Sequence, residues 1–78
     1  MRTVKEGVLR GSFAGFHGPG TMFEFSDGER WSQICLTVHP HRVFMPDAQI
    51  SVRENKYFIK VDGIDLAIQV IPETSMEP

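Results

Sequence analysis

The run His39-Pro40-His41 sets two imidazoles two residues apart. In an extended segment, residues i and i+2 point the same way, so both rings can grip one metal ion. Cys35, four residues before His39, is the candidate third ligand, and His17 is a distant fourth. Zinc takes three or four ligands at about 2.0–2.3 Å, and only two of these are close in sequence. The competing reading is a polar loop stiffened by Pro40. Cys35 and a histidine also supply the parts of a nucleophile and base pair. Against this, Cys35 sits between Ile34 and Leu36, and cysteine is among the most buried residue types. No basic neighbour in sequence lowers its pKa, so core packing is the reading adopted and no cofactor is expected.

Other candidate chemistry reduces to surface pairs. Trp31 with Tyr57 and Phe58 offers the parts of an aromatic groove for proline-rich ligands, but a large ring carries much of a small core. Phe58 falls opposite the main apolar set, which points to a second layer or a partner surface. Gly18-Pro19-Gly20 contains a proline and opens no helix, so it cradles no phosphate. Phe44 and Met45 lie in the irregular stretch from Thr37 to Asp47 and are the leading candidates for contact with a partner protein.

The elements that must position these residues are strands. No stretch of a dozen residues shows apolar residues at helical spacing, whereas alternation is interrupted by glycine or proline every eight to twelve residues. That punctuation reads as a small all-β sandwich or barrel. With 78 residues the chain makes one domain with a modest core, expected over residues 1–71, with 72–78 as a polar, frayed tail. One cysteine among these residues excludes an internal disulfide framework and fits a reducing compartment. The net charge of −2 argues against general nucleic-acid binding. No apolar run approaches the ~20 residues of a membrane span, and Met1–Glu6 lacks the apolar stretch of a signal peptide, so a cytoplasmic protein without membrane contact is expected.

Asp62-Gly63 signals a two-residue hairpin. Pairing outward sets Val61 against Ile64, Lys60 against Asp65, Ile59 against Leu66, Phe58 against Ala67 and Tyr57 against Ile68. A turn at Asn55-Lys56 then sets Val52 against Ile59 and Ile50 against Val61, giving a three-stranded meander over about Gln49–Ile71. The other Asp-Gly pair divides the aromatics badly as a two-residue turn. A three-residue loop, Ser26-Asp27-Gly28, with Gly28 left-handed in a bulge, sets Phe23 against Trp31 and Glu24 against Arg30. It puts Phe23, Phe25 and Trp31 in the core and makes Glu24–Arg30 an ion pair. Val4–Phe16 reads as one glycine-interrupted strand of ambiguous facing, Leu9 and Phe13 on one side and Val8, Ala14 and Phe16 on the other. Its glycines permit the bends that curl a small sheet. Pro40 and Pro46 bound the irregular excursion.

The run Gly11-Ser12-Phe13-Ala14-Gly15-Phe16, followed by Thr21–Gln33 with Phe23, Gly28, Trp31 and Gln33, resembles small bacterial proteins of uncharacterised function. Their pattern is G-x-F-x-G, then T-x-F-x-L-x-N-G-x-x-W-x-Q, then a Y-x-L-x-V-x-G segment that Tyr57–Gly63 matches here. The resemblance spans about residues 5–71 and departs at Phe25, at Asp27 and in the proline-rich stretch. It implies an SH3-like barrel of five or six mostly antiparallel strands, with an OB-like barrel as the alternative, and it carries no active site. The expected function is a non-enzymatic protein-interaction or self-associating module. The alternatives are a single-stranded nucleic-acid-binding barrel and a metal-binding protein through His39 and His41.

Overall fold

Alternation cut by glycine resolves into eight strands and no helix in the computed structural model, which describes residues 2–73. The strands are β1 (Arg2–Val8), β2 (Ser12–His17), β3 (Met22–Glu24), β4 (Arg30–Gln33), β5 (Val38–Phe44), β6 (Asp47–Arg53), β7 (Lys56–Val61) and β8 (Ile68–Glu73). Six form an antiparallel sheet in the order β1-β6-β7-β8-β4-β3, and β2 pairs with β5 in a second sheet. The all-β class expected from the pattern is what the molecule has, with eight strands where five or six were expected. The sheets do not close into one ladder. The two ends of the larger sheet meet just past β1 and β3, at a single Leu9–Phe25 bridge. Flanking it, Ser26 N–H donates to Val8 O and Arg10 N–H to Glu24 O, both at 2.8 Å. Lys5 ties the same seam, with Nζ 2.7 Å from Asp27 Oδ2 and 2.8 Å from Glu29 Oε1, over the ring of Phe25.

The bulged hairpin forms in the expected register, Phe23 opposite Trp31 and Glu24 opposite Arg30. Gly28 is left-handed at φ +96°, its N–H donates to Phe25 O, and Phe25 N–H donates to Glu29 O. Phe23, Phe25 and Trp31 are buried. The expected Glu24–Arg30 ion pair is replaced, since Arg10, drawn alongside by its backbone bond, stands 3.8 Å from the Glu24 carboxylate.

The meander forms with both registers moved by two residues. The β6–β7 turn is Glu54-Asn55, both at positive φ (51° and 66°), so Ile50 faces Ile59, Ala48 faces Val61 and Val52 faces Tyr57. At Asp62-Gly63 only Gly63 has positive φ, and Ile64 N–H donates to Val61 O at 3.0 Å. This is a type II turn, whose twist splays strands where a primed turn would continue them. Asp62 N–H is also held across to Asp47 O at 2.8 Å. The chain therefore leaves the ladder and resumes at Ile68 opposite Ile59, with Phe58 opposite Gln69 and Tyr57 opposite Val70. Because each shift is even, side chains keep their faces. Ile50, Ile59, Val61, Ile64 and Ile68 are buried as expected, Leu66 is exposed, and Lys60–Asp65 persists at 3.7 Å. β8 runs through Pro72 and Glu73, opposite Trp31 and Arg30, past the expected boundary at residue 71. Residues 74–78 of the expected tail lie outside the described residues.

The expected single strand Val4–Phe16 is two strands in different sheets, turned at Gly11 (φ +73°). Its facing is settled by Gly15, whose φ of +106° interrupts the alternation beside a register shift, so Phe13 and Phe16 both point inward. They meet edge to face at 5.5 Å, and Phe16 meets Phe23 at 5.6 Å. β2 and β5 cross so closely here that a Cβ on Gly15 would collide with the backbone of His39, Pro40 and His41. Gly15→Ala therefore combines left-handed strain with a backbone clash. It is expected to cost about 3 kcal/mol or more, read as a lowered midpoint in urea unfolding.

Candidate functional site

The stretch expected to be irregular contains β5, and its order begins one strand earlier. Gln33, at the end of β4, is 1% exposed. Its Nε2 donates to Cys35 O at 3.0 Å and to Thr37 O at 2.8 Å. These bonds hold residues 34–37 against the core edge while the chain passes from the larger sheet to the smaller. Beyond them, Gly18 N–H donates to Thr37 O, Phe16 pairs with His39, Phe13 with Val43, and Met45 N–H donates to Gly11 O. Pro40 lies within the strand and does not break it. Thr37 and Met45 spend backbone groups toward the β2 side, and by the two-residue alternation of strand hydrogen bonds Pro40 faces the other edge, where its missing N–H does no harm. Among the described residues no strand pairs with that edge.

From residue 34 to residue 44, exposure alternates without a break. Cys35, Thr37, His39, His41 and Val43 are half-buried on the inner side, with Cys35 and Val43 packed against the core. The outer side presents Ile34, Leu36, Val38, Pro40, Arg42 and Phe44. Leu36 is 83% exposed, Val38 64% and Phe44 69%. A strand with one wet face ordinarily turns its polar residues out; here the sense is inverted. Single exposed apolar side chains need no explanation, but a row of them does. The row is extended by Met45, which is exposed at φ +49°. At the Ile34 end it is extended by Met22 and Ile71, which flank Ser32 on the outward face of the larger sheet.

Of the expected partner residues, Phe44 and Met45 belong to this surface. Phe58 does not: it lies in the larger sheet, half-buried and in register with Ser51 and Gln69, where Arg53 and Ala67 were expected beside it. Ile34, Leu36 and Val38 were not singled out from the sequence. Their signal was there, as period-two alternation running through Pro40.

His39 and His41 do share one side, stacked with ring centroids 6.4 Å apart. No third ligand joins them: among the described residues no group of three His, Cys, Asp or Glu side chains is placed to hold a metal. His17 Nε2 is taken up by Ala14 O at 2.9 Å. Trp31 is a core plug, edge-on to Tyr57 at 5.2 Å. A groove lined by Asp47, Lys60, Asp62 and Asp65 is open and has no serine, cysteine or histidine in its lining. No helix among the described residues is long and apolar enough to cross a membrane.

The Cys35 thiol departs from the sequence reading. Burial pushes its pKa up, but hydrogen bonding with the backbone and hydroxyl of Thr37, the backbone of Gln69 and the amide of Gln33 outweighs this and holds it below the ordinary thiol value. Sγ lies 3.6 Å from both Thr37 Oγ1 and Gln33 Nε2. Hydrogen bonds replace the basic neighbour that was missing from the sequence. A lowered pKa leaves more thiolate near neutral pH. Thr37→Val removes the hydroxyl, so the pKa should rise and iodoacetamide alkylation at pH 7 should slow. Equal rates in both proteins across the pH profile would show that the hydroxyl does not hold the thiolate. No family model, curated protein or solved structure matches the chain.

Proposed function

We propose that this protein is a non-enzymatic interaction module that binds protein through the outward side of residues 34–44. The supporting observation is the inverted strand, in which five of six outward side chains are apolar while cysteine, threonine and two histidines face in. Water gains nothing from that arrangement; a protein surface laid on it buries Leu36, Val38 and Phe44 at roughly 25 cal/mol per Å² of apolar area. Enzymatic chemistry has less to stand on, because the polar side chains of the segment are turned toward the core edge. A single-stranded nucleic acid needs several cations beside its stacking platform, and this side has one, Arg42. We place the module in a reducing, cytoplasmic setting, where a lone thiol such as Cys35 stays free.

Selection from a displayed library of random peptides tests the reading directly. Enriched peptides should bind the wild-type protein and lose about tenfold or more in affinity to Leu36→Asp and to Phe44→Ala. Both positions are largely exposed, so circular dichroism should show the fold unchanged. Peptides that bind these variants as well as wild type, or a library that yields none, would overturn it.

A further inference from the structure

The outward row has a near-symmetry about Pro40. Leu36 and Phe44 stand four residues to either side of it, and Val38 and Arg42 two residues to either side. From this spacing we infer that the occupant of the surface is a second copy of the chain, packed face to face about a two-fold axis near Pro40. The inference rests on reading residues 34–44 as a protein-binding surface. A two-fold axis there sets Leu36 of each copy against Phe44 of the other, and Val38 against the aliphatic stem of Arg42. Leu36, Val38 and Phe44 each thereby meet an apolar surface, while Ile34 falls outside the symmetric set because its counterpart, Pro46, is buried. The two guanidinium groups fall on opposite sides of the axis, four residues of strand or about 13 Å apart. That exceeds the ~8 Å screening length at physiological salt, so their repulsion is weak.

Area and edge chemistry agree with this geometry. With Met22, Met45 and Ile71 at its ends, the row offers several hundred Å² of apolar surface, of the order of the ~800 Å² that each partner buries in a standard interface. Pairing edge to edge is disfavoured, because Pro40 offers no N–H at the free edge of β5 and the Arg42 charge lies beside it. Two sheets laid face to face at about 10 Å need no backbone bond at all.

Sedimentation equilibrium from micromolar concentration to about 1 mM reads the outcome. A concentration-dependent monomer–dimer equilibrium is expected, with Leu36→Asp and Phe44→Asp each weakening it about tenfold or more. In a Cys35→Ser background, Pro40→Cys should form a covalent dimer with a short bismaleimide, and Glu54→Cys, in the β6–β7 turn, should not. A dimer unaffected by either aspartate, or one cross-linked equally from both cysteine positions, overturns the inference. So does a protein that stays monomeric at about 1 mM. In that monomeric case the peptide selection separates the two failures: retained peptide binding means that only the occupant was wrong, and its absence removes the binding surface as well.

Discussion

The Gln33 amide sets the phase of everything that follows it. Buried to 1% exposure, it spends its two N–H bonds on the carbonyls of Cys35 and Thr37 and leaves Oε1 without a partner. An unpartnered buried acceptor costs about 1–3 kcal/mol, so two charge-free bonds to the main chain are a modest return in stability. What they do is fix which residues of the crossing segment turn in. With Thr37 held, the alternation runs on through β5 in one phase. A one-residue slip would carry Leu36, Val38 and Phe44 to the core side and the histidines to solvent.

That phase is locked a second time where β2 and β5 cross. Gly15 admits the backbone of His39–His41 to a distance no side chain allows. Its left-handed φ also lets Phe13 and Phe16 reach the core from one short strand. The aromatic cluster thus depends on the glycine, and the inward face of β5 must lie over that cluster. Val43 and Cys35 pack against the core, and His39 and His41 are half-buried on the same face. Hydrophobicity of the segment taken alone favours the opposite phase. Tertiary pairing overrides it, and the outward apolar row is the consequence.

The same competition explains what could be read from the sequence. The bulged Ser26-Asp27-Gly28 loop was legible because only one register joins Phe23 to Trp31, and a local rule sufficed. The meander was legible in its faces but not in its pairings. Its slips of two residues are invisible to a pattern of period two, and they were decided by Glu54 accepting a left-handed backbone and by Asp62 bonding across to Asp47. β5 was hidden by Pro40, which reads as a breaker until the strand is known to have a free edge. Phe44 and Met45 were found as exposed apolar residues, whereas Ile34, Leu36 and Val38 were passed over, because alternating apolar residues are ordinarily assigned to a core.

Edge management elsewhere in the molecule sharpens the contrast. β3 is three residues long, and β1 carries Lys5 and a register shift between Thr3 and Lys5, devices that keep an edge from recruiting strands. Pro40 does the same for β5. These three edges are thus blunted, including the edge beside the apolar row, while the row itself is covered by nothing among the described residues. A fold shaped only to stay solitary would protect its outward faces with charge as it protects its edges. Here Arg42 is the one charge on an otherwise apolar side of six residues. A blunted β5 edge beside an open face favours association by side-chain packing, which selects partners by shape where a bare strand edge would accept any backbone.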